Sequence, residues 1–182
     1  MSILSKIRNY FNPLSIEKTF TWKYIDLDND LVEEIKDIYT ANLKKDLSDY
    51  AFFQVLPLSL PRIMGEIPYA GLVYSPGNHT SKYSHKDPMP DDTCVFALNI
   101  PLINCENSLT SLYKSRRNPL YSLYGGRVTE IAKISDCDTI TSYCLTQPIM
   151  FNTQILHAVD NFSPDPRVAI SLRFEKNPID WI

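Results

Sequence analysis

The chain has 182 residues and a formal net charge of −3, a balance that argues against a general nucleic-acid binder. Hydrophobic residues make up 44% of it and charged residues 21%, which excludes a disordered chain and fits one domain with a sizeable core. No apolar run reaches the length of a membrane span, and residues 1–8 lack the apolar stretch and cleavage site of a secretory signal, so a cytoplasmic location is expected.

Residues 1–27 read as an extended arm anchored by Tyr10, Phe11, Phe20, Trp22 and Tyr24. Asp28 or Asn29 then offers an N-cap, and Leu31, Ile35, Ile38 and Leu43 recur at helical spacing opposite Glu33, Glu34, Lys36 and Asp37. This predicts a helix over 30–46 whose apolar stripe packs on a sheet face. Arm and helix, residues 1–50, would flank a β core over 51–182 within a single domain.

From Ala51 the pattern changes to strands. Phe52–Leu56 stops at Pro57, Ala70–Tyr74 is closed by Ser75-Pro76-Gly77, and Thr93–Ile100 stops at Pro101. Ser108–Tyr113, Thr139–Leu145, Ile149–Leu156 and Arg167–Phe174 complete the set. With 13 Pro against 5 Gly, and 11 Tyr and 8 Phe, such short strands suggest a sandwich or jelly roll with irregular turns. The segment 114–138 interrupts them with Lys114, Arg116, Arg117, Arg127 and Lys133 around Tyr121, Tyr124 and Gly125-Gly126. It reads as a lid or binding loop that would favour an anionic substrate, or as a solvated surface loop.

Cys94, Cys105, Cys137 and Cys144 form no Cys-x-x-Cys pair, so free thiols in a reducing compartment are expected and a zinc site is not. Asn78-His79-Thr80 and Asn161-Phe162-Ser163 match the glycosylation sequon, by chance in a chain without a signal.

Two segments carry chemistry. His85-Lys86-Asp87 and the distant His157 offer two imidazoles and one carboxylate, the donor set that holds Fe(II) while leaving adjacent positions open. In a strand, i and i+2 share a face, so His85 and Asp87 can address one ion from a strand end that Pro88 and Pro90 terminate. Each His taken singly is more often structural, and His79 has no motif around it. The last strand places Arg167, Ala169, Ser171 and Arg173 on one face and Val168, Ile170, Leu172 and Phe174 on the other. That polar face is either a solvated edge or an interior one able to grip a dicarboxylate.

Taken together, these segments resemble the 2-oxoglutarate/Fe(II)-dependent dioxygenase superfamily, and within it the small oxygenases of marine bacteria and their phages. The resemblance rests on His85-Lys86-Asp87, Phe96–Leu102, Cys105–Ser108, Leu112-Tyr113, Pro148–Thr153, His157–Asn161 and Pro166–Phe174, and spans about residues 70–175. It implies a double-stranded β-helix with flanking helices, Fe(II) held by His85, Asp87 and His157, and 2-oxoglutarate as co-substrate gripped by Arg167. It further implies Tyr113 and Asn99 as co-substrate contacts and Arg173 as a second carboxylate ligand. Members often carry Arg-x-Ser where this chain has Arg167-Val168-Ala169, so one hydrogen bond to the co-substrate would come from elsewhere. The implied activity is hydroxylation, with O2, of an amino-acid side chain in a peptide or protein, or of a small molecule. The competing readings are a non-catalytic jelly-roll binding or structural protein, such as a phage protein, retaining a metal-site relic, and a cupin-like enzyme that uses the metal without 2-oxoglutarate. The latter sits poorly with only three His in the chain.

Overall fold

Alternation of side chains with a period of two governs most of the chain after the helix, and it builds two sheets that face each other. The computed structural model describes residues 21–26, 29–41, 53–55, 69–88, 95–124 and 127–174. The anchors Tyr10, Phe11 and Phe20, the predicted helical extension over 42–46, the strand ends Phe52 and Leu56, and Cys94 lie outside these residues. The elements are β1 (Trp22–Tyr24), α1 (Asn29–Ala41), β2 (Phe53–Val55), β3 (Tyr69–Ser75), β4 (Tyr83–His85), β5 (Phe96–Ile103) and β6 (Ser108–Ser115). They continue with β7 (Leu120–Tyr124), β8 (Arg127–Lys133), a 3-10 turn (Ile134–Asp136), β9 (Cys137–Tyr143), β10 (Ile149–Asn152), β11 (Leu156–Asn161) and β12 (Arg167–Arg173).

One sheet has the order β1-β10-β5-β12-β3-β2 and the other β7-β8-β4-β11-β6-β9, with every pairing antiparallel. From β3 onward the chain crosses repeatedly between the sheets, so that β3-β12-β5-β10 faces β4-β11-β6-β9. This is the jelly-roll winding of a double-stranded β-helix. On α1, Ile35 of the expected stripe is buried, as is Val32, which the stripe did not include, while Glu33, Glu34 and Asp37 are exposed.

The strands differ from the sequence expectation at four places, each with a local cause. The segment 114–138 is not a loop: β7 and β8 pair from Leu120↔Ile131 to Tyr124↔Arg127 and extend the second sheet beyond β4. Alternating Leu, Tyr and Val residues on either side of Gly125-Gly126 carry that hairpin signal. The run 149–156 splits into β10 and the start of β11. Asn152 turns the chain, its Oδ1 accepting from the Gln154 N–H at 2.9 Å and its carbonyl from the Ile155 N–H at 3.3 Å. β5 does not stop at Pro101; β10 has already ended at Ile149↔Asn99, so the missing proline N–H falls on an unpaired edge. β1 is a short strand within the expected arm, with Trp22↔Phe151 in register.

The turns at the end of the barrel away from β4's His85 are clasped together. Asn161 is fully buried; its Nδ2 donates to the carbonyls of Pro76 (3.0 Å) and Asp165 (2.9 Å), and its Oδ1 accepts from the Ser163 N–H (3.1 Å). An asparagine held this way is closed to glycosylation. Asn78 adopts φ 52° and donates its N–H to the Ser163 carbonyl at 2.8 Å. Gly77 lies so close to this partner that a Cβ there would stand 1.9 Å from the Pro164 carbonyl oxygen. Backbone cannot swing aside as a side chain can. Gly77→Ala is therefore expected to cost roughly 2–3 kcal/mol or more, seen as a lower urea midpoint with an unchanged slope.

Candidate metal centre

The facing sheets place three ligand-type side chains at one end of the interior. His85 ends β4 and pairs in register with His157 on β11, so the two imidazoles leave neighbouring strands on the same side. Their ring centroids are 4.6 Å apart. Asp87 follows β4 and is held by its backbone: its N–H donates to the Thr153 carbonyl at 3.0 Å, and Gln154 Nε2 donates to its carbonyl at 3.0 Å. Lys86 between them faces away, its Nζ 2.6 Å from Glu130 Oε2 on β8, while Thr129 Oγ1 donates to its carbonyl.

Asp87 Oδ1 lies 3.4 Å from His85 Nε2 and 3.4 Å from His157 Nε2. Those separations are long for charge-assisted hydrogen bonds, and they suit donor atoms sharing one ion about 2.1 Å from each. Ligand atoms of all three residues lie within 4.8 Å of one another, the one such His/Cys/Asp/Glu group among the described residues. His157 Nδ1 lies 2.9 Å from the Ile155 carbonyl. A proton on Nδ1 donates there and leaves Nε2 with its lone pair toward the site. Phe151 packs edge-on to the His157 ring at 5.1 Å. The His157 side chain is 6% exposed and that of His85 41%, so the centre opens to solvent on the β4 side.

Arg173, at the end of β12, pairs with Asp87 Oδ2. Burial alone would raise the Asp87 carboxyl, but the Arg173 guanidinium, aided by the His157 and His85 imidazoles, holds it well below its ordinary value. The carboxylate is therefore ionised, with one oxygen gripped by Arg173 and the other between the two imidazoles.

Behind this centre the interior is unusually polar. Arg167, at the start of β12, is 1% exposed; its Nε donates to Ser108 Oγ at 2.9 Å, and its Nη1 has no partner. Ser75 Oγ, Asn99 Oδ1 and Tyr143 Oη are likewise buried without a partner. Register places all four on the faces that look inward: Ser75↔Arg167, Asn99↔Ser171 and Tyr143↔Thr110. Buried polar groups are nearly always satisfied, so buried water or a polar ligand is expected beside these four atoms.

The expected site residues divide accordingly. His85, Asp87 and His157 converge, and Arg167 and Asn99 face the same interior. Arg173 is interior as well, but its guanidinium is committed to Asp87 rather than open to a co-substrate carboxylate. Tyr113 is a correction. It pairs with Leu156 while Leu112 pairs with His157, so its side chain leaves the opposite face of the sheet. There it is 7% exposed and packs with Ala132, Leu156 and Ala158 under Ile134 and Cys137. The β12 strand is central rather than an edge, which removes the solvated-face alternative. Tyr143, Ser75 and Ser108 were not singled out from the sequence. The signal for Tyr143 was the alternation Thr139, Thr141, Tyr143, broken in phase by a register shift opposite Leu112/Tyr113.

No family model matches the chain, and no curated protein matches it in sequence. Among solved structures it is similar to a prolyl-4-hydroxylase of Pseudomonas putida, at 9% sequence identity and a TM-score of 0.47 over 96% of this chain and 99% of that one. A likeness at that level carries no functional argument; the winding of the two sheets rests on strand order and register. Among the described residues no helix is long and apolar enough to cross a membrane.

The Asp87–Arg173 pair has a measurable consequence. Arg173→Met leaves a buried carboxylate without its cation and is expected to destabilise the metal-free protein by roughly 3 kcal/mol at pH 7. The folded value of Asp87 is depressed, so its contribution is present above the unfolded carboxylate value of about 3.9 and is lost as pH falls through the folded value. The stability gap between wild type and variant, followed by chemical denaturation, should narrow below about pH 4.

Proposed function

We propose that the protein is an Fe(II)- and 2-oxoglutarate-dependent oxygenase that hydroxylates an amino-acid side chain or a small molecule. One observation carries the reading: two imidazoles and an ionised carboxylate converge between the facing sheets, and the same interior face of the last strand carries a buried arginine with a free N–H. The first group could hold a metal and the guanidinium could pair with a carboxylate. The donor set fits Fe(II), since it is nitrogen- and oxygen-based, carries one negative charge and leaves coordination positions open.

When bound, the iron and co-substrate supply the oxidising chemistry with O2. The chain's own residues do the rest. His85, Asp87 and His157 would hold the ion, and the carbonyl of Ile155 fixes which nitrogen His157 presents. Arg173 keeps Asp87 charged and occupies its second oxygen, which favours one-oxygen coordination. Arg167 would bind the far carboxylate through Nη1, with Ser108 steadying the guanidinium from Nε. Apolar neighbours of this region, among them Leu112, Phe151 and Ala169, keep water from the buried side, while the exposed edge of His85 leaves an approach for the prime substrate. Cys105, Cys137 and Cys144 are free, which suits the reducing cytoplasm that we assign to it.

The test is anaerobic loading with Fe(II) and 2-oxoglutarate, admission of O2 and measurement of succinate. Slow turnover is expected, abolished in His157→Ala. Arg167→Met should keep the metal and lose 2-oxoglutarate. Binding of neither ligand by wild type would leave a non-catalytic jelly-roll protein, and metal binding without 2-oxoglutarate would leave a cupin-like enzyme.

A further inference from the structure

We infer that Thr129, on the β7–β8 hairpin, is a positioning residue for the metal centre: its hydroxyl fixes the peptide between Lys86 and Asp87 and thereby sets where the Asp87 carboxylate meets the two imidazoles. The inference rests on the reading of His85, Asp87 and His157 as metal ligands, and it is independent of any co-substrate. It gives the hairpin, which carries none of the three candidate ligands, a part in building the centre.

Register brings Thr129 to this place. β4 and β8 pair from Tyr83↔Lys133 to His85↔Ile131, and the Lys86 N–H continues the ladder to the Glu130 carbonyl at 2.9 Å. Thr129 is the next residue on β8, but Asp87 has already turned away: its N–H donates to the Thr153 carbonyl at 3.0 Å, in the turn before β11. The Thr129 side chain, on the strand face of Ile131, takes up the carbonyl left behind. Thr129 is buried, and its Oγ1 donates to the Lys86 carbonyl. The 86–87 peptide is thus held at both ends, its carbonyl by β8 and its N–H by the turn. A peptide is planar, so holding both groups fixes the plane from which Asp87 springs, and Gln154 Nε2 on the Asp87 carbonyl fixes the next plane. Between these two planes the carboxylate reaches its place, with Oδ1 3.4 Å from each imidazole Nε2.

The contacts that join Lys86 to β8 differ in weight. The Lys86 Nζ–Glu130 Oε2 pair is 2.6 Å long, but its side chains are 29% and 24% exposed and lie on the face away from the metal ligands, so it contributes little. The Lys86 N–H bond to Glu130 is backbone and survives any side-chain change. The Thr129 hydroxyl is the contact that is buried, touches the peptide leading to Asp87 and can be removed by substitution. Arg173 does not replace it, because a guanidinium on a long side chain can follow the carboxylate through a small shift. The turn before β11 places Asp87 relative to His157; Thr129 places it relative to His85 and β8.

The test is titration of the metal-free full chain with Co(II), a spectroscopic substitute for Fe(II) whose visible absorption reports coordination geometry. Wild type should bind it with a spectrum that His157→Ala abolishes. Thr129→Val, which keeps the shape and loses the hydroxyl, should bind roughly tenfold more weakly with an altered spectrum. Thr129→Ser should restore both affinity and spectrum, and Glu130→Gln should leave them near wild type. Should Thr129→Val not fold, the comparison of Thr129→Ser with Thr129→Ala reads the same hydroxyl. Equal affinity and an equal spectrum with and without the hydroxyl overturn the inference, and so does a loss in Thr129→Ser as large as that in Thr129→Val, which makes Thr129 a packing residue. Wild type that binds no Co(II), or binds it unchanged in His157→Ala, overturns the metal-centre reading itself, and the inference with it.

Discussion

The site depends on the register of one strand. β11 runs between β4 and β6, and the pairings His157↔His85 and His157↔Leu112 decide which of its side chains enter the barrel. A slip of one residue would turn His157 outward to the surface now covered by Tyr113 and Ala132 and bring Leu156 inward. The turn before β11 guards against this. Thr153 and Gln154 hold the Asp87 backbone, and the Ile155 carbonyl orients His157, so one short stretch positions two of the three candidate ligands. At the other end of β11, Asn161 is tied to the turns on either side of it. The strand is pinned at both ends, and the ligand geometry follows from that.

The two arginines of β12 share a strand face and a charge but differ in what surrounds them. Arg173 meets a carboxylate, and the pair is nearly neutral in the absence of any ligand. Arg167 meets Ser108 and keeps one N–H free in a space it shares with Ser75 and Tyr143. A desolvated guanidinium without a counterion is costly. The fold sustains it because both faces of β12 are buried between apolar neighbours: Leu72, Ile100, Ile170 and Leu172 lie on the outer side of the sheet. Stability drawn from that layer offsets a polar interior that would be a defect in a purely structural jelly roll.

Much of this is legible in the sequence. The apolar stripe of α1, the strands closed by Pro and Gly, and the His-x-Asp with a distant His follow from short-range rules of spacing and chirality. What stayed hidden depends on which strands pair. Tyr113 and Tyr143 both sit on alternating strands rich in Thr, Ser and Leu, and alternation alone cannot say which phase faces inward. Pairing settles it: Tyr113 lies opposite Leu156, while Tyr143 lies opposite Thr110, which shares the face of Leu112 and His157. The β7–β8 hairpin was misread for a different reason. The five basic residues of 114–138 suggest a loop, but only Arg127 and Lys133 lie in the hairpin, and Arg116 and Arg117 before it pair locally, 3.2 Å from Asp138 and 3.4 Å from Asp136.

The same hairpin shows how the open side of the centre is built. Ile131 of β8 pairs with His85, and Leu120 of β7 pairs with Ile131, so one row of side chains runs from the candidate ligands out along the second sheet. Paired residues in a sheet point the same way, and Leu120 is 51% exposed. The row thus runs from buried Leu112 through His157 and His85 to Ile131 and exposed Leu120. On the enclosed side lies the Arg167 guanidinium, buried and with one N–H unpartnered. On the open side the row is apolar and reaches solvent at Leu120. A buried cation on one side of the candidate ligands and an exposed apolar row on the other give the two sides opposite chemistry, and both follow from strand pairing rather than from any local motif.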